Sequence, residues 1–115
     1  MALDILKSIE VIEAMEKFIA KRRPPIELRN KVDLAYKTEG QSVIIFEIRP
    51  SWNDQSKLIE GRIAKATYIN SQKVWKVFWL RANLKWYGYE PHLTVKTIEE
   101  FVELVDKDKY GCFFG

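Results

Sequence analysis

The sequence is poor in the residues that build common catalytic and metal centres. It has one histidine, one cysteine and five glycines among its 115 residues. A structural zinc site needs about four nitrogen or sulfur ligands, so His92 and Cys112 cannot complete one. The glycines are isolated, which excludes a glycine-rich phosphate loop. We therefore predict no cofactor and assign no catalytic residue.

Disulfides, long hydrophobic runs and a strong charge of one sign are also missing. A lone cysteine excludes an internal disulfide and favours a reducing, cytoplasmic setting. The longest aliphatic-aromatic run, Val43–Phe46, is far shorter than the roughly 20 residues of a membrane helix, so we predict no membrane contact. The residues near Met1 do not resemble a secretory signal. The net charge of +3 permits an anionic partner without requiring one.

Hydrophobic periodicity, by contrast, is clear. Hydrophobic residues make up 47% of the chain, which supports one folded domain over residues 1–115. Spacings of three and four predict a helix over about 3–22, which Pro24-Pro25 ends. A capping box, Thr97-x-x-Glu100, predicts a second helix over about 97–107. The apolar stripe of the first helix consists of Ile5, Ile9, Ile12, Met15 and Ile19, and Val11 and Phe18 widen it on one flank.

Between about 31 and 89 the hydrophobic period changes to two, which predicts strands. A three-residue loop around Gly40 would set Asp33 opposite Glu47 in the first hairpin. A turn at Ser71-Gln72 follows, and a fifth strand begins after it near Leu84. We predict an α+β fold, a five-stranded antiparallel meander with the N-terminal and C-terminal helices packed on one face.

The segment from Val74 to Tyr89 holds three of the four tryptophans. The predicted register places Trp75, Trp79 and Trp86 on the helix-covered face, where each indole N–H would find a local acceptor. The alternative is that these rings, interleaved with basic residues, stack nucleic-acid bases. We favour core packing, because interleaved aromatic residues more often pack than read bases.

Charged and aromatic positions concentrate on the predicted sheet and the loop beside it. They suggest a non-enzymatic binding or interaction module for an anionic ligand, a nucleic acid or another protein. A homodimer is a further possibility for the partner, formed through an open sheet edge or by docking of the Phe113-Phe114 tail on a neighbour. The proposed binding residues are Glu47, Arg49, Trp52, Lys65, Arg81 and Lys85.

The alternative is a metal-dependent hydrolase or nuclease. Asp33 and Glu47, side by side, could bind a divalent cation or share a proton. The other interpretation is that Asp33 and Glu47 form a cross-strand ion network with Lys31 and Arg49 on a solvent-facing surface, and we favour it. Whether the chain is an enzyme is left open, with a non-enzymatic role preferred.

Several short segments occur together in a distinctive order. In this combination the chain resembles the bacterial family known as domain of unknown function 3024, over roughly Arg23 to Gly115. The resemblance implies domain boundaries but no established activity. Tyr87 stands where the family often has histidine, and tyrosine cannot replace an imidazole ligand or base. The segments are Glu47-x-Arg49-Pro50-x-Trp52, Ile63-Ala64-Lys65, Trp75-x-x-x-Trp79, Leu84-Lys85-Trp86-x-x-Tyr89 and Phe113-Phe114-Gly115.

Overall fold

The computed structural model describes residues 3–114, which form two α-helices and one antiparallel sheet. The strand order is β1-β2-β3-β4-β5, and a sixth strand of two residues also pairs with β4. The predicted α+β meander with a helix at each end is thus confirmed. No helix in the described residues is long and apolar enough to cross a membrane. The elements are α1 (Ile5–Arg22), β1 (Asp33–Glu39), β2 (Ser42–Pro50), β3 (Leu58–Ile69), β4 (Val74–Leu80), β5 (Trp86–Gly88), β6 (Thr94–Val95) and α2 (Ile98–Lys107).

Helix α1 buries Met15 and the flank of its predicted apolar stripe that carries Val11 and Phe18, rather than the row of isoleucines. Ile5 and Ile12 are 78% and 51% exposed. The row of isoleucines and the row of buried residues both have helical spacing, so the hydrophobic period alone does not show which row faces the core. Ala14 and Phe18 lie beside Val102 of α2, so the helix is turned toward its helical neighbour. The buried residues of α1 are Val11, Ala14, Met15 and Phe18.

The first hairpin turns more tightly than the sequence suggested. Glu39 pairs with Ser42 across the two residues Gly40 and Gln41. Gly40 has φ 58°, and a glycine with positive φ at the first central position is what a type II′ turn requires. The predicted three-residue loop is therefore wrong.

This shorter turn shifts the β1–β2 register by one residue. Asp33 lies opposite Ile48 rather than Glu47. A register shift of one residue turns every side chain of one strand to the other face of the sheet. Val43, but not Ile44, therefore joins the core beneath the helices. Ile44 and Phe46 point to the other side of the sheet, which we call the open face.

A β-bulge interrupts the pairing of β2 with β3. Ala64 pairs with Ile45, but Arg62 pairs with the next residue of β2, which leaves Ile63 as an extra residue. Ile63 and Ala64 both enter the core. Residues three apart on a regular strand point to opposite faces, but the bulge places Arg62 and Lys65 together on the open face.

The pairing of β3 with β4 follows the predicted register, whereas that of β4 with β5 does not. Trp86 pairs with Leu80, so Trp86 lies on the open face and its predicted place in the core is wrong. Leu84 has φ 64° and belongs to the connection rather than to a strand, which delays the start of β5. Trp75 is fully buried as predicted, but its indole N–H finds no acceptor within residues 3–114.

Candidate functional site

One row of residues crosses the open face from β1 to β5. Lys37, Ile44, Lys65, Phe78 and Gly88 are successive cross-strand partners. The row thus places an apolar residue between two lysines. The ammonium group of Lys65 lies 4.9 Å from the centre of the Phe78 ring, a distance typical of a cation–π contact.

Two cations meet over Trp86. The Lys65 ammonium lies 5.1 Å from the centre of the Trp86 ring, and the Arg62 guanidinium lies 5.7 Å from it. Within residues 3–114 neither cation forms an ion pair with a carboxylate. Burial, and next the charge of Arg62, lower the pKa of the Lys65 ammonium group. The charge of Glu39 partly opposes this lowering. The open face therefore holds two cations that have no carboxylate within ion-pair distance in residues 3–114.

Lys37 is the third cation, and its charge is neutralised. Its ammonium lies 2.9 Å from a carboxylate oxygen of Glu60 and 3.6 Å from one of Glu39. The hydrogen bond to Glu60 is the main reason that the pKa of Lys37 is raised. The ammonium also lies 5.3 Å from the Phe46 ring centre. The Lys37–Glu60 bridge helps to explain how Phe46 is buried on a face that no helix covers.

These side chains enclose a depression of about 370 Å³, which we call the open-face depression. Its volume falls within the roughly 300–1,000 Å³ of small-molecule pockets. Three cations and two carboxylates line it, which leaves one net positive charge. Its lining residues are Lys37, Glu39, Ser42, Ile44, Glu60, Arg62, Lys65 and Trp86.

Of the six binding residues proposed from the sequence, only Lys65 lies in this depression. Glu47 and Arg49 form an ion pair of 2.8 Å near the end of β2. Trp52 is 91% exposed in the loop that follows. The Glu47–Arg49 pair lies away from the depression, because Arg49 pairs with Ile59 near the start of β3, and Trp52 does not line the depression either.

Arg81 lies on the opposite face of the sheet from the depression, over the paired residues Trp79 and Tyr87. Its guanidinium lies 5.4 Å from the Trp79 ring centre and 4.5 Å from that of Tyr87. The side-chain amide of Asn83 donates a hydrogen bond of 2.9 Å to the Tyr87 hydroxyl. Tyr87, the position at which the family resemblance suggested histidine, therefore supports an arginine. Lys85 is exposed in the connection to β5.

A groove of about 710 Å³ adjoins Arg81 and is lined in part by Cys112. Burial raises the pKa of the Cys112 thiol, so the thiol form dominates at neutral pH. The thiolate is the nucleophilic form of cysteine. This groove therefore lacks an activated cysteine nucleophile.

Asp33 and Glu47 do not form the predicted carboxylate pair. The register places them on opposite faces of the β1–β2 hairpin. Arg23 donates two hydrogen bonds of 2.8 Å to Asp33, and these are the main reason that the pKa of Asp33 is lowered. No cluster of three or more potential metal ligands occurs between residues 3 and 114. The predicted four-residue network is replaced by two separate arginine–carboxylate pairs.

Sequence reasoning missed Lys37 and Arg62 as partners of Lys65. A prediction with a two-residue turn at Gly40-Gln41 would have placed Lys37 opposite Ile44, and thus in the same cross-strand row as Lys65. Arg62 required the bulge at Ile63, for which the sequence gives no local signal that we recognise.

The C-terminal tail packs into the fold rather than lining the open-face depression. Phe113 is buried, and its ring centre lies 4.9 Å from that of Tyr89. The Asp108 carboxylate accepts hydrogen bonds from the backbone N–H groups of Phe113 at 3.0 Å and Phe114 at 2.8 Å. Among the segments that carry the family resemblance, Lys65 and Trp86 are the residues that face the depression.

Comparison with known proteins identifies a family and nothing more specific. No curated protein and no solved structure matches the chain. One family matches residues 4–115. The match extends beyond the region of the resemblance seen in the sequence and includes α1. The chain therefore belongs to the family described as Domain of unknown function (DUF3024).

Proposed function

We propose that this chain is a non-enzymatic binding module that holds an anionic ligand in the open-face depression. The observation that supports it best is the convergence of Arg62 and Lys65 over Trp86, with neither cation in an ion pair within residues 3–114. Two like charges at close range repel, and an anion between them removes that cost. The lowered pKa of Lys65 has Arg62 as its second cause, which agrees with this repulsion.

The aromatic rings hold the cations in place. Lys65 lies between the rings of Phe78 and Trp86, and Arg62 lies over Trp86. Side chains that are already ordered lose less conformational entropy when a ligand binds. The two cations over Trp86 would compete with a base for stacking on this ring, so we expect charge to dominate binding.

Two-dimensional NMR with pyrophosphate as the probe tests the proposal. At low ionic strength, we expect shifts in β3 near Lys65 and at the indole N–H of Trp86, and these weaken as salt is added. Lys65→Gln removes one charge-assisted contact and should weaken binding about tenfold. Lys85→Gln makes the same charge change outside the depression and should leave binding unchanged. Equal effects of the two variants, or no shifts near Lys65, would reject this site.

A metal-dependent hydrolase has little support from the geometry. Asp33 and Glu47 are separated by the sheet, and each is paired with an arginine. Magnesium binding that disappears in Glu47→Gln would contradict this conclusion.

We also propose a cytoplasmic location, because a single cysteine favours a reducing compartment.

A further inference from the structure

The carboxylates that line the open-face depression limit the kind of anion that fits. Glu39 on β1 and Glu60 on β3 both contact Lys37, and they line the same depression as Arg62 and Lys65. A long polyanion that crossed the open face would approach these two carboxylates. A compact anion can contact the Arg62 and Lys65 cations while the two carboxylates remain paired with Lys37. The electrostatics therefore favour a small ligand over an extended one.

The two available cations also suggest the charge of the ligand. A terminal phosphate carries about −1.5 to −2 at pH 7, which matches Arg62 and Lys65 together. The planar guanidinium of Arg62 can donate two parallel hydrogen bonds to phosphate oxygens, and the Lys65 ammonium can act as a point charge beside it. A phosphodiester presents only one negative charge at each phosphate.

We infer that the depression binds the terminal phosphate of a small phosphate monoester rather than the diester backbone of a nucleic acid. This inference rests on the proposed function. Its volume of about 370 Å³ lies near the lower end of the range for ligand pockets, which agrees with a small ligand. Lys37 has a structural part in this arrangement, because its two carboxylate partners neutralise it.

Three probes separate the possibilities: methyl phosphate, dimethyl phosphate and a short single-stranded oligonucleotide without terminal phosphates. We expect methyl phosphate to shift the NMR signals around Lys65 and Trp86. Its affinity should rise about tenfold between pH 5 and pH 7, as the second phosphate proton leaves near pH 6. The charged groups that face the ligand are Lys37, Glu39, Glu60, Arg62 and Lys65, and no histidine lines the depression. Dimethyl phosphate does not titrate in this range and controls for protonation of the protein.

Arg62→Lys tests the geometry of the contact. It keeps the charge and removes the planar fork, so methyl phosphate affinity should fall about fivefold. Arg81→Lys, which changes a guanidinium outside the depression, should have no effect. If the oligonucleotide binds the depression at least as tightly as methyl phosphate, without the pH dependence, the monoester inference is wrong and the anion site stands. If none of the probes and not even pyrophosphate binds there, both proposals fail.

Discussion

The C-terminal aromatic segment offers the sharpest test of how this fold is held together. Phe113 is 7% exposed and packs on Tyr89, with ring centres 4.9 Å apart. We predict that Phe113→Ala destabilises the protein without weakening binding in the open-face depression. The reason is that Phe113 belongs to the core cluster and does not line the depression.

The expected loss can be estimated from the burial of Phe113. Phenylalanine-to-alanine changes in cores cost about 3–5 kcal/mol. Phe113 lies outside the helices and strands, where the backbone can relax around a smaller side chain, so we expect the lower end of this range, about 3 kcal/mol. A domain of 115 residues has a free energy of unfolding of about 6–17 kcal/mol. The variant should therefore fold, with a Tm lower by about 10–15 °C.

A double-mutant cycle with Asp108 tests whether the tail acts as one unit. Asp108 accepts the backbone N–H groups of Phe113 and Phe114, and it holds a left-handed conformation with φ 41°. Asp108→Ala should cost about 1–2 kcal/mol. If the hydrogen bonds and the ring packing depend on each other, the double variant loses about 1 kcal/mol less than the two single losses combined.

Urea denaturation followed by tryptophan fluorescence measures these free energies. Phe114→Ala is the matched control, because Phe114 is only partly buried and its ring faces the Arg22 guanidinium at 4.2 Å. We expect it to cost about 1 kcal/mol. A loss below about 1 kcal/mol for Phe113→Ala, together with weaker pyrophosphate binding, would show that the segment serves the ligand rather than the core.

Two further predictions concern stability. Lys21 is the main cause of the lowered pKa of Asp106, so the ionised carboxylate stabilises the α1–α2 contact, and this contribution is lost as the pH falls from about 4 through the lower folded-state pKa. Asp106→Asn should remove about 1 kcal/mol of this pH-dependent stability, and identical pH profiles of the two proteins in urea denaturation would contradict the assignment. Trp75 buries an indole N–H that lacks an acceptor within residues 3–114, so Trp75→Phe removes an unsatisfied donor as well as packing. Its cost by the same assay should stay below about 2 kcal/mol, against about 3–5 kcal/mol for Trp75→Ala.

Local patterns predicted the elements of this fold well, because their causes are local. The capping box gave the start of α2, and Thr97 does accept the backbone N–H of Glu100 at 3.2 Å. The proline pair after α1 marked the end of that helix within a residue. The alternation of β3 and β4 gave Tyr68 opposite Trp75, as the structure has it.

The faces of the sheet were harder to predict, because they depend on single residues in turns. The turn at Gly40 has two residues rather than the predicted three. Asp33 therefore does not lie opposite Glu47, and the two carboxylates do not form the predicted metal-binding pair. The left-handed Leu84 moved Trp86 from the core to the open face. Alternation fixes which residues share a face along one strand, but the turn decides which face meets the core.

The bulge in β3 has a consequence for how relatives of this chain should be compared. Because Ile63 is the extra residue, a relative that lacks it would carry its two cations two positions apart on a regular strand, again on one face. A gap there in an alignment would therefore preserve the open face, although the spacing differs. Bulges also bend and twist strands, and Lys37 meets Glu60 although their partners on β2, Ile44 and Ile48, are four residues apart. We therefore expect a flatter sheet with the same side chains to lose the Lys37–Glu60 bridge and with it one wall of the depression.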